Sequence, residues 1–334
     1  MLKVAIVGAG TMGSVHSNSY RSVRGAKVVA ICDIRPDRAT KAASAHGAKC
    51  YEDYDMMLRN EKIDVVDICL PTYMHKGFAL KAISYGKHVF CEKPIALSIG
   101  DAREMVDGAR NRGVKFSVGH VVRFFPAYAK AVKNIKEGKI GIPKLIRTTR
   151  AGAYPSWSWN NWYSNYDCSG GPMVDLIIHD IDWIRYNFGD VERVFARDLY
   201  GRKIDNLDHC LITLRLKNGA IAHIEGSWAY PKGSIFGTTF EIIGTKGQIE
   251  FDSRSSAPIK KYVPNGDAVR TSIESPMFPD EEPYTMEIQK FIDCITENKK
   301  PLVSGEDAIK ALEISLAAVK SARTKEVVLP GGDN

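Results

Sequence analysis

The sequence predicts an α/β protein: a doubly wound parallel sheet over residues 1–120, then a second α/β domain over 121–334 built on a mostly antiparallel sheet. Three observations carry this. Over the first 120 residues, short continuous apolar runs alternate with helical patterns, as parallel strands covered on both faces require. After residue 120, strand signals follow one another between glycine turns and alternate apolar with polar residues, the pattern of an antiparallel sheet with one buried face. A chain of 334 residues is also long enough for two domains.

The first strands are KVAIV (3–7), KVVAIC (27–32), DVVDICL (64–70), KHVFC (87–91) and KFSVG (115–119). Helical patterns at 12–23, 36–46, 73–85 and 98–112 separate them, the second opened by Pro36 and the fourth by Ser98. This βαβ rhythm implies right-handed crossovers. A helix near 125–137 leads into a strand at 144–154, an aromatic loop, and a helix near 172–188. Strands follow at 191–200, 209–217, 220–229, 237–243 and 247–252. In them Ile212, Leu214 and Leu216 alternate with Leu211, Thr213 and Arg215, and Phe240 and Ile242 with Thr239 and Glu241. Residues 253–283, rich in proline, serine and charge, read as a long loop. Helices near 284–298 and 304–323, expected to pack back on the first domain, and an apolar run at 327–329 close the chain.

Composition excludes several classes. With 44% hydrophobic and 25% charged residues the chain is an ordinary soluble globular protein. Its seven cysteines are odd in number and form no CxxC pair, which favours a reducing, cytoplasmic setting over a disulfide scaffold. No apolar stretch reaches the roughly 18 residues a membrane span needs, and the apolar run at the N-terminus is too short for a signal peptide. The net charge of +7 is spread among acids with no basic stripe, so neither nucleic acid nor membrane is expected as a partner.

Gly8, Gly10 and Gly13 form GxGxxG directly after the first strand and before a helix. Glycines there permit the tight turn, the approach of a pyrophosphate and close helix–strand packing. The helix start at Thr11 and Met12 offers free amides to phosphate. Asp33 ends the second strand 20 residues after Gly13, the spacing of a carboxylate that holds a ribose 2′-OH, with Ile34 and Arg35 beside it. NAD is therefore expected over NADP, because Asp33 repels a 2′-phosphate, although Arg35 and Arg38 stand close enough to receive one. Ligands of such sheets lie outside the carboxyl ends of the strands. That rim carries PTYMH, with Pro71, Thr72 and His75, and FCEKP, with Glu92 and Lys93. For His75 the alternative is a helix-start residue without a ligand, and for EKP a solvated turn.

The second charged cluster is SGGPMVDLIIHDIDW (169–183). Proline suits a first helical position. On a helix opened by Pro172, Asp175, His179 and Asp182 fall at i, i+4 and i+7 and share one face. The alternative is a solvated face, with Asp175 as a first-turn acid.

GxGxxG with Asp33, EKP at Glu92–Pro94, Arg123–Phe124, GGPxxxDxxxHxxD and SGEDAIKALEISLAAVKSA near the C-terminus together resemble the glucose–fructose oxidoreductase/inositol dehydrogenase (Gfo/Idh/MocA) family over essentially the whole chain. Pro172 replaces the third glycine of a common GGG. The resemblance implies an N-terminal Rossmann domain followed by an α/β domain whose open sheet mediates homodimers or homotetramers. It implies Lys93, Asp175 and His179 as the catalytic set, and a cis bond before Pro94. The chemistry suits hydride transfer at a secondary carbinol carbon of a sugar or cyclitol. A base such as His179 takes the hydroxyl proton, and a donor such as Lys93 steadies the oxygen. Asp175 holds a neighbouring hydroxyl or tunes His179, Asp182 orients the site residues or is simply structural, and Glu92 contacts the cofactor or restrains the lysine.

The stretch AYPSWSWNNWYSNY (153–166) holds three of the five tryptophans. Trp157 and Asn160 are candidates for sugar stacking and hydrogen bonding, with a subunit interface as the alternative. Arg123 is a candidate for a substrate hydroxyl or phosphate, or for pairing with an acid. Tyr284 enters only through the resemblance. A zinc-dependent polyol dehydrogenase would need cysteines at ligand spacing with histidines; Asp205, Asp208 and His209 supply none, so no metal is expected. A cofactor-binding sensor without catalysis and a reductase of imines or keto-sugars are the remaining alternatives.

Overall fold

A computed structural model describes residues 1–199, 208–255, 259–265, 268–274 and 282–331. The chain forms two compact units: Met1–Val121 with Asp167–Ser169 and Asp280–Ile309, and Val122–Tyr166 with Gly170–Pro279 and Lys310–Asn334.

The first unit runs β1 (Leu2–Val7), α1 (Thr11–Ser19), β2 (Ala26–Cys32), α2 (Pro36–Ser44), β3 (Lys49–Tyr51), α3 (Tyr54–Asn60), β4 (Val65–Ile68), α4 (His75–Ser84), β5 (His88–Glu92), α5 (Ile99–Arg112) and β6 (Phe116–Gly119). Its six strands are parallel in the order β3-β2-β1-β4-β5-β6. The order reverses between β1 and β4, where such sheets open a crevice at the carboxyl ends. The helices read well because their ends are marked. Ser98 caps α5 through the Asp101 amide, and Gly113 closes it at φ 72°. Neither β3 nor α3 was expected from the sequence: a three-residue edge strand and a seven-residue helix are too short to show a period.

The second unit contains α6 (Pro126–Lys136), β7 (Pro143–Ala153), most of the short α7 (Tyr166–Ser169) being excluded from it, then α8 (Ile178–Phe188), β8 (Val191–Leu199), β9 (His209–Leu216), β10 (Ile221–Tyr230), β11 (Gly237–Gly244), β12 (Gly247–Asp252), β13 (Ile259–Asn265) and β14 (Ala268–Glu274). The eight strands lie in the order β14-β13-β12-β11-β7-β10-β9-β8. Every pairing is antiparallel except β7 with β10. The expected alternation holds: Ile212, Leu214, Leu216, Phe240 and Ile242 are buried, and Leu211 faces outward. The expected loop at 253–283 is corrected in part, since its described residues include the β13–β14 hairpin.

Two helices end the chain, α9 (Pro283–Thr296) and α10 (Gly305–Thr324). Ile288, Phe291 and Ile292 of α9 join Val4, Ile6, Val28 and Phe90 in the core of the first unit. Ala311, Ile314, Ala317 and Ala318 of α10 join the core of the second. Among the described residues no helix is long and apolar enough to cross a membrane.

Candidate active site

The glycine loop leaves β1 with Gly8 at φ +91°, where a Cβ would stand 2.5 Å from the Cys69 carbonyl oxygen. A Cβ on Gly13 would stand 1.8 Å from the Gly8 carbonyl oxygen, so α1 and the loop touch backbone to backbone. Around Gly10 a Cβ would meet nothing within 4 Å. Gly10 gives α1 no side-chain cap and the first turn carries no acid, so the amides of Thr11, Met12 and Gly13 are donors for an anion. The adjoining cleft, about 550 Å³, is lined by Gly10, Thr11, Ser14, Arg38 and Lys41 among others. These features fit a dinucleotide pyrophosphate.

Asp33 Oδ2 accepts the Ala9 amide at 2.7 Å, and Oδ1 accepts the Arg35 amide at 2.9 Å. The Arg35 guanidinium donates to both oxygens, at 3.0 and 3.2 Å. Burial alone would raise the Asp33 pKa; the Arg35 and backbone donors outweigh it and hold the carboxyl below its usual range. Asp33 is thus an ionised acceptor tied to the glycine loop. Arg35 is its ion-pair partner, while Ile34 is exposed.

At the same rim, Thr72 is buried after Pro71, and His75 is buried completely. His75 Nδ1 lies 2.8 Å from the Pro94 carbonyl and Nε2 2.8 Å from the Leu70 carbonyl. Its ring ties the exits of β4 and β5 together at the start of α4, where the alternative reading put it. Burial pushes its pKa down, against two carbonyls that favour the protonated ring. Glu92 is buried, with Oε1 3.0 Å from His16 Nε2 and Oε2 accepting the Lys93 amide at 3.0 Å, a hold on the lysine that is one of its two expected roles. Lys93 itself is half-buried, and the Lys93–Pro94 bond is cis.

Within the second unit, regular helix begins at Ile178, six residues later than the sequence suggests. Gly170 and Gly171 both take left-handed φ, near +73° and +71°. Irregular turns follow, including an i→i−5 bond from the Ile177 amide to the Pro172 carbonyl. Asp175 therefore lies outside α8, and the shared-face spacing with His179 does not apply to it. Wide turns of this kind recur at functional sites. Asp175 is buried and His179 half-buried.

The two acids that follow His179 on α8 are each paired with an arginine. Asp182 forms a bidentate pair with Arg123, at 2.7 and 2.6 Å, with side chains 1% and 3% exposed. The Arg123 guanidinium also stacks 3.7 Å from the Tyr186 ring centroid. Asp180 pairs with the buried Arg150 at 2.6 Å. Of the two roles expected for Arg123, the pairing with an acid is present, through its Nε and Nη2.

Trp157 and Asn160 are exposed on the aromatic loop, where Trp162 and Tyr163 stack at 4.1 Å. Asn160 and Asn161 both hold left-handed φ, at 49° and 50°, a conformation asparagine tolerates better than most residues. Tyr284, at the start of α9, lies 6.0 Å from the His16 ring in the first unit. Asp208 is buried, and Asp205 lies outside the described residues.

His16 was missed from the sequence, as was its partner Asp67. The signal was present: Asp67 interrupts a strand whose neighbours are all apolar, and a buried charge demands a partner. His16 follows Gly13 by three residues, on the helix face that meets the sheet. Among the described residues, His16, Asp67 and Cys69 form the one group spaced to hold a metal.

Residues 2–120 match the NAD-binding Rossmann fold of the Gfo/Idh/MocA oxidoreductase family, and residues 132–329 match that family's C-terminal alpha/beta domain. A myo-inositol 2-dehydrogenase of Thermotoga maritima is 29% identical over 98% of each chain. A scyllo-inositol 2-dehydrogenase (NAD(+)) of Bacillus subtilis is 31% identical over 96% of this chain and 94% of that one. The structure of a levoglucosan dehydrogenase in complex with NADH and levoglucosan is 26% identical, covers 99% of this chain and 100% of that one, and superposes with a TM-score of 0.88. With both domain models matched across nearly its whole length, the chain belongs to the Gfo/Idh/MocA family of oxidoreductases.

Proposed function

We propose that this protein is an NAD-dependent, metal-independent dehydrogenase of a sugar or cyclitol, with inositols the first substrates to test. One observation carries the reading: β5 delivers Lys93 to the carboxyl-end rim that also holds the glycine loop and Asp33. The inositol and sugar dehydrogenases among its relatives support the substrate class.

Bound nicotinamide supplies the hydride acceptor or, in reverse, the donor. Lys93 donates a hydrogen bond to the reacting oxygen and offsets the charge that develops there. His179 takes the hydroxyl proton during oxidation and returns it during reduction. Asp175 holds a neighbouring hydroxyl or orients His179. Trp157 and Asn160 bind substrate from the aromatic loop, and Tyr284 borders it. Asp33 selects NAD over NADP by repelling a 2′-phosphate, even with Arg35 and Arg38 nearby.

The outward side chains Phe195, Leu199, Leu211 and Tyr230 on β8–β10 support assembly into homodimers or homotetramers through the open sheet. All seven cysteines are free, in keeping with a cytoplasmic setting.

Purified protein with NAD and a panel of inositols and sugars is expected to generate absorbance of the reduced cofactor. Lys93→Ala and His179→Ala should each abolish it with the best substrate. Full activity in both variants overturns the assignment. NAD binding without turnover on any member, keto-sugars with NADH included, would favour the sensor reading.

A further inference from the structure

His16 is wholly buried on α1, one turn after the glycine loop. Its Nδ1 lies 3.0 Å from both oxygens of Asp67 on β4, and its Nε2 3.0 Å from Glu92 Oε1 on β5. With a carboxylate at each ring nitrogen, the site favours the protonated ring, which can donate through both. Glu92 Oε2 accepts the Lys93 amide. On the other side of Lys93, the Pro94 carbonyl faces the buried His75. Gly119 on β6 closes over Glu92, since a Cβ there would stand 3.2 Å from Oε1.

The other titratable groups around His16 are Cys69 after β4, whose Sγ is 3.2 Å from Nδ1, and Tyr20 at the end of α1, within electrostatic range of Asp67. Tyr284 and Glu287 of α9 and Lys93 complete the set. Burial pushes the His16 pKa down, but Asp67 and Cys69 outweigh it and hold it well above the ordinary value. Burial and Asp67 also push the Cys69 thiol up. As it stands the trio is joined by hydrogen bonds, Cys69 Sγ meeting both His16 Nδ1 and Asp67 Oδ1.

We propose that His16 is a positioning residue for Lys93, acting through Glu92. It keeps that carboxylate ionised and turned inward, so that Glu92 grips the Lys93 amide and sets the charge facing its ammonium. The same ring joins the phosphate-binding helix to the strand that carries the lysine. This rests on the reading of Lys93 as catalytic.

The test uses the full-length enzyme with NAD and its best substrate, and compares Glu92→Gln, His16→Gln, the double variant and Lys93→Ala. Glu92→Gln keeps the shape and removes one negative charge beside Lys93. Glu92 then loses its charge-assisted hold on the Lys93 amide. Each single variant should lower kcat by about tenfold or more, with the KM for NAD changed less than about threefold. The double variant should be no worse than the poorer single, as for residues acting in one chain. An unchanged kcat in either single variant, or singles whose effects multiply in the double variant, would overturn the proposal and leave His16 a packing residue. If His16→Gln does not fold, Asp67→Asn, which weakens the carboxylate hold on the His16 ring, takes its place in the same comparison. Lys93→Ala separates the two readings: full activity there removes Lys93 from catalysis, whereas an inactive Lys93→Ala with an unchanged kcat in His16→Gln removes only the role of His16.

Discussion

Replacing Arg123 with alanine should unfold the second unit at a markedly lower temperature while leaving substrate affinity nearly unchanged. The pair it breaks is bidentate, at 2.6 and 2.7 Å, and both side chains are almost fully buried. At an effective dielectric of about 20, charges 2.7 Å apart attract by about 6 kcal/mol before desolvation. Removing one partner strands Asp182 as a buried charge, which typically costs about 3–5 kcal/mol. For a unit of this size each kcal/mol lowers Tm by about 2–4 °C, so the expected drop is about 6–20 °C. Differential scanning calorimetry of the cofactor-free protein measures it, and steady-state kinetics below the transition give KM. The double variant R123M/D182L, which removes both charges and keeps apolar volume, should recover most of the loss. A Tm within 3 °C of wild type together with a tenfold rise in substrate KM would refute this reasoning and return Arg123 to the substrate.

Gly13→Ala should abolish NAD binding, measured by cofactor fluorescence, because its Cβ would meet the Gly8 carbonyl at 1.8 Å and push α1 off the loop. Asp33→Asn should raise the NADP-to-NAD ratio of kcat/KM by about tenfold or more, the 2′-phosphate no longer facing a carboxylate. The Asp33 pKa is lower folded than unfolded, so its contribution to stability is present above the unfolded value of about 3.9 and fades as pH falls through the folded one. Urea midpoints of Asp33→Asn and wild type should therefore differ at pH 7 and converge in acid. Dialysis against a chelator should leave turnover unchanged; loss restored by a divalent ion would reopen the group at His16, Asp67 and Cys69.

The parallel strands could be read because each is a continuous apolar run that both helix layers cover, and the nucleotide loop because its glycines answer to backbone contact. The alternation in β9 and β11 was equally plain, one face being buried. What escaped had physical reasons. The period of α8 was carried back to Pro172, but two left-handed glycines and a wide turn interrupt it, so spacing could not place Asp175. The β13 strand carries Lys260, Lys261 and Pro264, a polar sequence that pairs at the sheet margin through its backbone. His16 and Arg123 depend on partners 51 and 59 residues away, and such pairs leave no local pattern. Lys93 could be singled out from the sequence, whereas its support from His16, Glu92 and His75 required the fold.

The placement of α9 has a consequence for synthesis. The first unit draws Ile288, Phe291 and Ile292 from a helix synthesised only after the whole β8–β14 region. Meanwhile β7 waits for β10 and β11, its two neighbours in the sheet, the nearer about 70 residues downstream. Neither core can close while the nascent chain is short. Vectorial folding from the N-terminus is blocked, and a chain cut before residue 283 exposes the apolar surface that α9 covers, a target for chaperones and proteases.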